Sequence, residues 1–147
     1  MDFGILLGLA YQHFVIELNA HLAAKGFSAI KPTYGYVFRA LGSERLTTAQ
    51  LAASLHITNQ GMAKMVDEMV ASGYVERHAD PADARVKLLD LSAHGKAALA
   101  AARKFHADFE SRLSVQLGER KVATTRAVLT ELVGGASEDL TRTLRPF

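Results

Sequence analysis

Residues 46–92 read LTTAQLAASLHITNQGMAKMVDEMVASGYVERHADPADARVKLLDLS. Their spacing predicts helix, turn, helix, strand, loop, strand. Thr47 suits a helix N-cap, and Gln50 three residues on completes a capping box. Leu46, Leu51, Ala52 and Leu55 form the apolar side of that helix. Ile57 enters a turn, and Thr58 is the next N-cap. In the second helix Met62, Met65, Val66 and Met69 recur at the spacing of one helical face. Gly73 stops it. Val75 opens a strand, Val86, Leu88 and Leu91 mark another, and the turn-rich Asp80–Asp83 segment forms the tip between them.

The opposite face of the second helix carries Asn59, Gln60, Ala63, Lys64 and Asp67. It is polar and short-chained at its N-terminal end and bears one cation. A helix that enters a DNA major groove needs this arrangement. Its free amides favour phosphate, its amide side chains and lysine reach base edges or backbone, and small residues allow close approach. Gly61 lowers helix propensity but would let the backbone come near DNA.

Together these residues resemble the winged helix-turn-helix of the MarR family of bacterial transcription regulators. The resemblance is carried by Leu51-Ala52 with Leu55, Thr58-Asn59-Gln60, Lys64-Met65-Val66-Asp67, Gly73-Tyr74-Val75-Glu76-Arg77, Asp80-Pro81-Ala82-Asp83-Ala84-Arg85 and Leu91-Ser92-Ala93-His94-Gly95. A helix-turn-helix pattern alone is a weak signal. The Asp-Pro-x-Asp-x-Arg tip behind Gly-Tyr-Val-Glu-Arg is a specific one, and with flanking helices the match runs from about residue 5 to residue 133.

The resemblance implies a mainly α fold with a small β-wing, as one domain over residues 1–147. A winged helix-turn-helix lobe would occupy 32–91, and 4–25 with 92–147 would form a helical dimerisation lobe. The implied function is sequence-specific transcription regulation: a cytoplasmic homodimer on palindromic double-stranded DNA, acting as a repressor released by a small aromatic or phenolic ligand. Thr58, Asn59, Gln60, Lys64 and Arg85 would touch DNA, with Thr58 on phosphate. Arg85 would pair with Asp67 and lock wing to helix, while Arg77 would pair with Asp80 or Asp83. Many members carry a second cation beside the wing arginine, where this chain has Ala84. The effector cleft would be walled by Tyr11, His13, Phe14, Tyr36 and Arg39, the arginine meeting a carboxylate and His13 donating a hydrogen bond. Taken singly, each of those aromatic residues is more simply a core residue. No cofactor is implied.

The flanks read as long helices. Residues 4–25 carry two apolar stripes, Leu7, Tyr11, Phe14, Leu18, Leu22 and Ile5, Leu9, Ile16, which implies burial on two sides. Gly26 ends this helix. Pro32 suits a first turn, and 33–41 forms the next helix despite an internal Gly35. Ser92 caps a helix reaching about Leu117, with Phe105, Phe109 and Leu113 every four residues. After Gly118 another runs from 119 to 133 with Val122, Leu129 and Leu132 inward, and 137–144 forms a short terminal helix.

Composition narrows the function. At 147 residues and 49% hydrophobic, the chain can build one core. No apolar run approaches a membrane span, and no membrane partner is expected. The apolar start at 4–10 has no basic segment before it and reads as helix, not signal peptide. The absence of cysteine excludes a thiol nucleophile, a disulfide framework and thiol-oxidation sensing. No Gly-rich phosphate loop, nucleophile elbow or His-Glu-x-x-His occurs, so no enzyme is expected. His106 and Glu110 could share a helix face, but no zinc-type spacing is present and no metal is expected. Net charge is only +2, and residues 43–92 hold five Lys or Arg against seven Asp or Glu. That acidic balance keeps a rival open, a winged-helix protein-interaction module with no DNA affinity of its own.

Overall fold

A computed structural model describes residues 1–134. Six helices and one hairpin follow in the order α1 Phe3–Ala24, α2 Tyr34–Leu41, α3 Thr48–Ser54, α4 Asn59–Ala71, β1 Val75–Ala79, β2 Lys87–Leu91, α5 Ala93–Leu117 and α6 Glu119–Leu132. The terminal helix expected at 137–144 lies outside the described residues.

Local chemistry accounts for most of the boundaries. Thr47 accepts from the Gln50 amide while the Gln50 side chain accepts from the Thr47 amide, a complete capping box. Thr58 and Ser92 cap α4 and α5 by accepting from the Gly61 and Gly95 amides. Gly73 takes a φ of +80°, a conformation that turns the chain from α4 into β1 without a Cβ in the way. Leu46 departs from expectation. It precedes α3 and exchanges two backbone hydrogen bonds with Leu89, so it extends the edge of the hairpin instead of the helix. Val86 also stays outside its strand: its amide bonds to the Asp83 carbonyl and its carbonyl accepts from Asp80, which closes the wing tip.

β1 and β2 are antiparallel, from Val75 opposite Leu91 to Ala79 opposite Lys87. The core lies under this hairpin. Val37, Leu51, Met62, Val66 and Met69 are completely buried there. Burying each such side chain stabilises the fold by roughly 1.5–3 kcal/mol. The core extends past residue 91 to Ala98 and Leu99, so the first turns of α5 pack as part of the winged unit.

α1 lies against α5 by only part of its length. Phe14 meets Phe105, His106 and Phe109 with ring centroids 5.6, 4.9 and 5.1 Å away, and Arg112 pairs with Glu17 at 2.6 Å. The second stripe is not buried: Ile5, Leu9 and Ile16 are exposed, as are Leu129 and Leu132 of α6, which the sequence placed inward. By length and composition α1 would suffice to cross a bilayer, contrary to the expectation from contiguous runs. Its Glu17–Arg112 pair and its aromatic contacts with α5 are those of a helix packed on protein.

Candidate nucleic-acid interface

The N-terminal turn of α4 faces solvent. Thr58, Asn59, Gln60 and Lys64 are all exposed, while Met62, Val66 and Met69 hold the other side of the helix in the core. The cap uses the Thr58 hydroxyl only as an acceptor, so its proton remains available to a phosphate oxygen. The free amides and the positive end of the helix dipole point the same way. Gly61 has a role inside the protein: a Cβ there would lie 3.0 Å from Thr58 Oγ1 and 3.3 Å from Ile57 Cγ2, against the cap itself.

The wing presents Arg85 with its side chain 91% exposed. The expected Asp67–Arg85 bridge does not form. Arg85 donates from Nε and Nη2 to the two carboxyl oxygens of Asp83, both at 3.0 Å, and its amide bonds to the same carboxylate at 3.1 Å. The pair lowers the Asp83 carboxyl and raises the Arg85 guanidinium from their usual pKa values. Asp67 pairs instead with Arg77 of β1, which was expected to bind Asp80 or Asp83. Proximity decides both: two residues separate Asp83 from Arg85, so the tip closes on itself at small entropic cost. Arg77 sits on the strand that returns directly from α4. Wing and helix are tied, through a different arginine.

A second tie reaches α4 from its other neighbour. Glu68 Oε2 accepts from Lys31 Nζ at 2.5 Å and from the Tyr34 hydroxyl at 3.1 Å. The lysine, then the tyrosine, hold the Glu68 carboxyl below its usual range. Burial, then the Glu68 bond, pushes Tyr34 up to about 12. Lys31, Tyr34 and Glu68 were not legible as a group in the sequence: the first two stand 37 and 34 residues before Glu68 and share no local motif with it.

The residues expected to wall an effector cleft are partly brought together. Tyr36 is half-buried; burial and the nearby Tyr11 raise its pKa, and Arg39 opposes the shift. Burial, with Arg39 second, lowers the pKa of the His106 imidazole, which meets the Phe14 ring at a tilt of 48°. Along the seam of α1, α2 and α5, Tyr11 and Arg39 come near Tyr36, Arg39 also comes near His106, and Phe14 packs on His106, which the sequence suggested only as a partner for Glu110. Glu110 pairs with Arg126. His13 turns away to Glu17 at 2.8 Å. None of the five lines the open groove of about 610 Å³ between the end of α2, β2 and α5, where Asp90 accepts from Arg45 at 3.1 Å.

Residues 30–86 match the model of the MarR family. No curated protein matches the chain. The solved structures similar to it include the following three. A mutant of MarR from E. coli complexed with operator DNA is 24% identical over 88% of this chain and 92% of that one, with a TM-score of 0.66. YusO from Bacillus subtilis is 18% identical over 92% and 94%, with a TM-score of 0.69. MepR from S. aureus bound to ethidium bromide is 19% identical over 90% and 94%, with a TM-score of 0.63. Residues 30–86 are thus similar to the MarR family, and the fold built around that segment is the fold of these winged-helix structures.

Proposed function

We propose that this protein is a sequence-specific DNA-binding transcription regulator, acting in the cytoplasm as a homodimeric repressor that a small aromatic or phenolic ligand releases. The observation that carries the reading is the exposed, capped first turn of α4 with Asn59, Gln60 and Lys64, standing beside a wing whose tip is Arg85. The α4 residues read bases in the major groove, Thr58 and Lys64 hold phosphate, and Arg85 reaches the neighbouring backbone or minor groove. The operator complex of MarR supports the DNA partner, and the ethidium complex of MepR supports a small-molecule effector. The exposed apolar residues of α1 and α6 support a dimer, which reads two half-sites of a palindrome through its two-fold axis. The seam of Tyr11, Phe14, Tyr36, Arg39 and His106 takes the effector, with Arg39 facing its anionic group. His13 has no part in it.

The test is fluorescence anisotropy on the duplex upstream of this protein's own gene and on a scrambled duplex, across several salt concentrations. Selective binding that weakens steeply with salt is expected. Arg85→Ala lowers affinity about equally on both duplexes and reduces the salt slope by about 1. If neither Arg85→Ala nor Lys64→Ala changes binding, the contact assignment fails. Equal, weak binding of the wild-type protein to every duplex in a random pool favours the interaction module, the reading that suits five cations against seven carboxylates in residues 43–92.

A further inference from the structure

α4 is held from two sides, by Arg77 of the wing strand through Asp67 and by the segment joining α1 to α2 through Glu68. We infer that Glu68 is a positioning residue for DNA recognition, one that fixes the pose of α4 relative to α2 and the segment before it. The inference rests on the DNA-binding reading above. Glu68 lies one helical turn beyond Lys64, on the same side of α4. A single carboxylate oxygen takes both donors. One of them, Tyr34, is fully packed in the core and starts α2.

The joining segment has little freedom of its own. The Tyr74 hydroxyl donates to the Ser28 carbonyl at 2.7 Å, and Lys31 is held by Glu68 at 2.5 Å. Between these two pins Ala29 has a φ of +57°, sparsely populated for a residue with a Cβ. Such a conformation persists where its surroundings over-determine it. α2 also carries Tyr36 and Arg39. A ligand that shifts α2 therefore acts on the helix whose first residue holds Glu68. A displacement of about 1 Å takes the Tyr34 bond out of hydrogen-bond range. The Glu68 tie then keeps only its Lys31 ion pair, and α4 is held less firmly on that side.

The test uses the full chain carrying Glu68→Gln, which keeps an acceptor for Tyr34 and removes the charge that Lys31 pairs with. Affinity is measured for a duplex selected by the wild-type protein from a random pool and for a scrambled duplex. Charge removal alone raises affinity for both equally. A positioning role lowers the specific-to-nonspecific ratio, by roughly 2- to 30-fold. The swapped pair Lys31→Glu with Glu68→Lys restores the ratio, because the Tyr34 hydroxyl can turn from donor to acceptor. A readout without DNA stands beside this: amide hydrogen exchange across α4 rises in Glu68→Gln while that of α5 stays unchanged. Unchanged α4 exchange with an unchanged ratio overturns the inference, as does an equal rise in affinity on both duplexes. Faster α4 exchange in a protein whose wild type prefers no duplex keeps the tie and overturns the DNA-binding reading instead.

Discussion

Gly95 lies where the first turn of α5 passes over the backbone of Tyr74, and a Cβ built there falls 2.1 Å from the Tyr74 carbonyl oxygen. That carbonyl already accepts from the Ser92 amide, so it has little room to move. Gly35 lies inside α2 with nothing within 4 Å of a built Cβ. The same change to alanine therefore has opposite signs at the two sites. Gly95→Ala destabilises by about 1–3 kcal/mol through overpacking against backbone. Gly35→Ala stabilises by about 0.5–1 kcal/mol by restricting the unfolded chain. Denaturant unfolding of both variants checks this, and equal midpoints for the two would refute the assignment of Gly95 to close packing.

At the scale of the element, α3 has seven residues and too few internal hydrogen bonds to hold its own shape. Leu51, Ala52 and Leu55 bury its inner face, and the Thr47–Gln50 box closes its start. Thr47→Ala removes the 3.1 Å bond to the Gln50 amide and costs about 1 kcal/mol. Thr47→Ser, which keeps the acceptor, restores most of that. Thermal unfolding of the two variants distinguishes a cap from a packing role, since loss in both would point to the threonine methyl. The wing works by another balance. In the proposed complex Arg85 would exchange Asp83 for a phosphate, so its contribution to DNA affinity would be a difference between two ion pairs and is expected to be modest.

At the scale of the whole molecule, α1 and α6, with the end of α5, carry apolar surface that the described residues leave exposed. Phe3, Ile5, Leu9 and Ile16 on α1 and Leu129 and Leu132 on α6 are exposed, whereas the winged unit buries its own core completely. Exposed apolar surface of this extent is more stable against a partner than in water. Ile16→Glu combined with Leu132→Glu is expected to convert a dimer to a monomer in sedimentation equilibrium. Neither side chain enters the core, so the far-UV circular dichroism should be unchanged. A wild-type chain that sediments as a monomer at micromolar concentration would remove the dimer from the proposed function.

Much of the fold was legible in the sequence because it depends on neighbours in the chain. The spacing of Met62, Val66 and Met69, the caps at Thr47, Thr58 and Ser92, and the turn at Gly73 each act within a few residues, and each lies where expected. The exposed Asn59, Gln60 and Lys64 were legible for the same reason, since a helix with one buried face must turn its other face outward. Pairings between distant charges were not. Asp67 had two arginines to choose from, and the path of β1 back along α4 decided for Arg77. Glu68 found Lys31 and Tyr34 only because α2 and α4 bury their apolar sides in one core. Attraction between charges depends on distance in space, and sequence patterns report that distance only along a single element. The sequence by itself therefore determined the elements and the face that α4 presents; the tertiary packing decided which side chains hold that face in place.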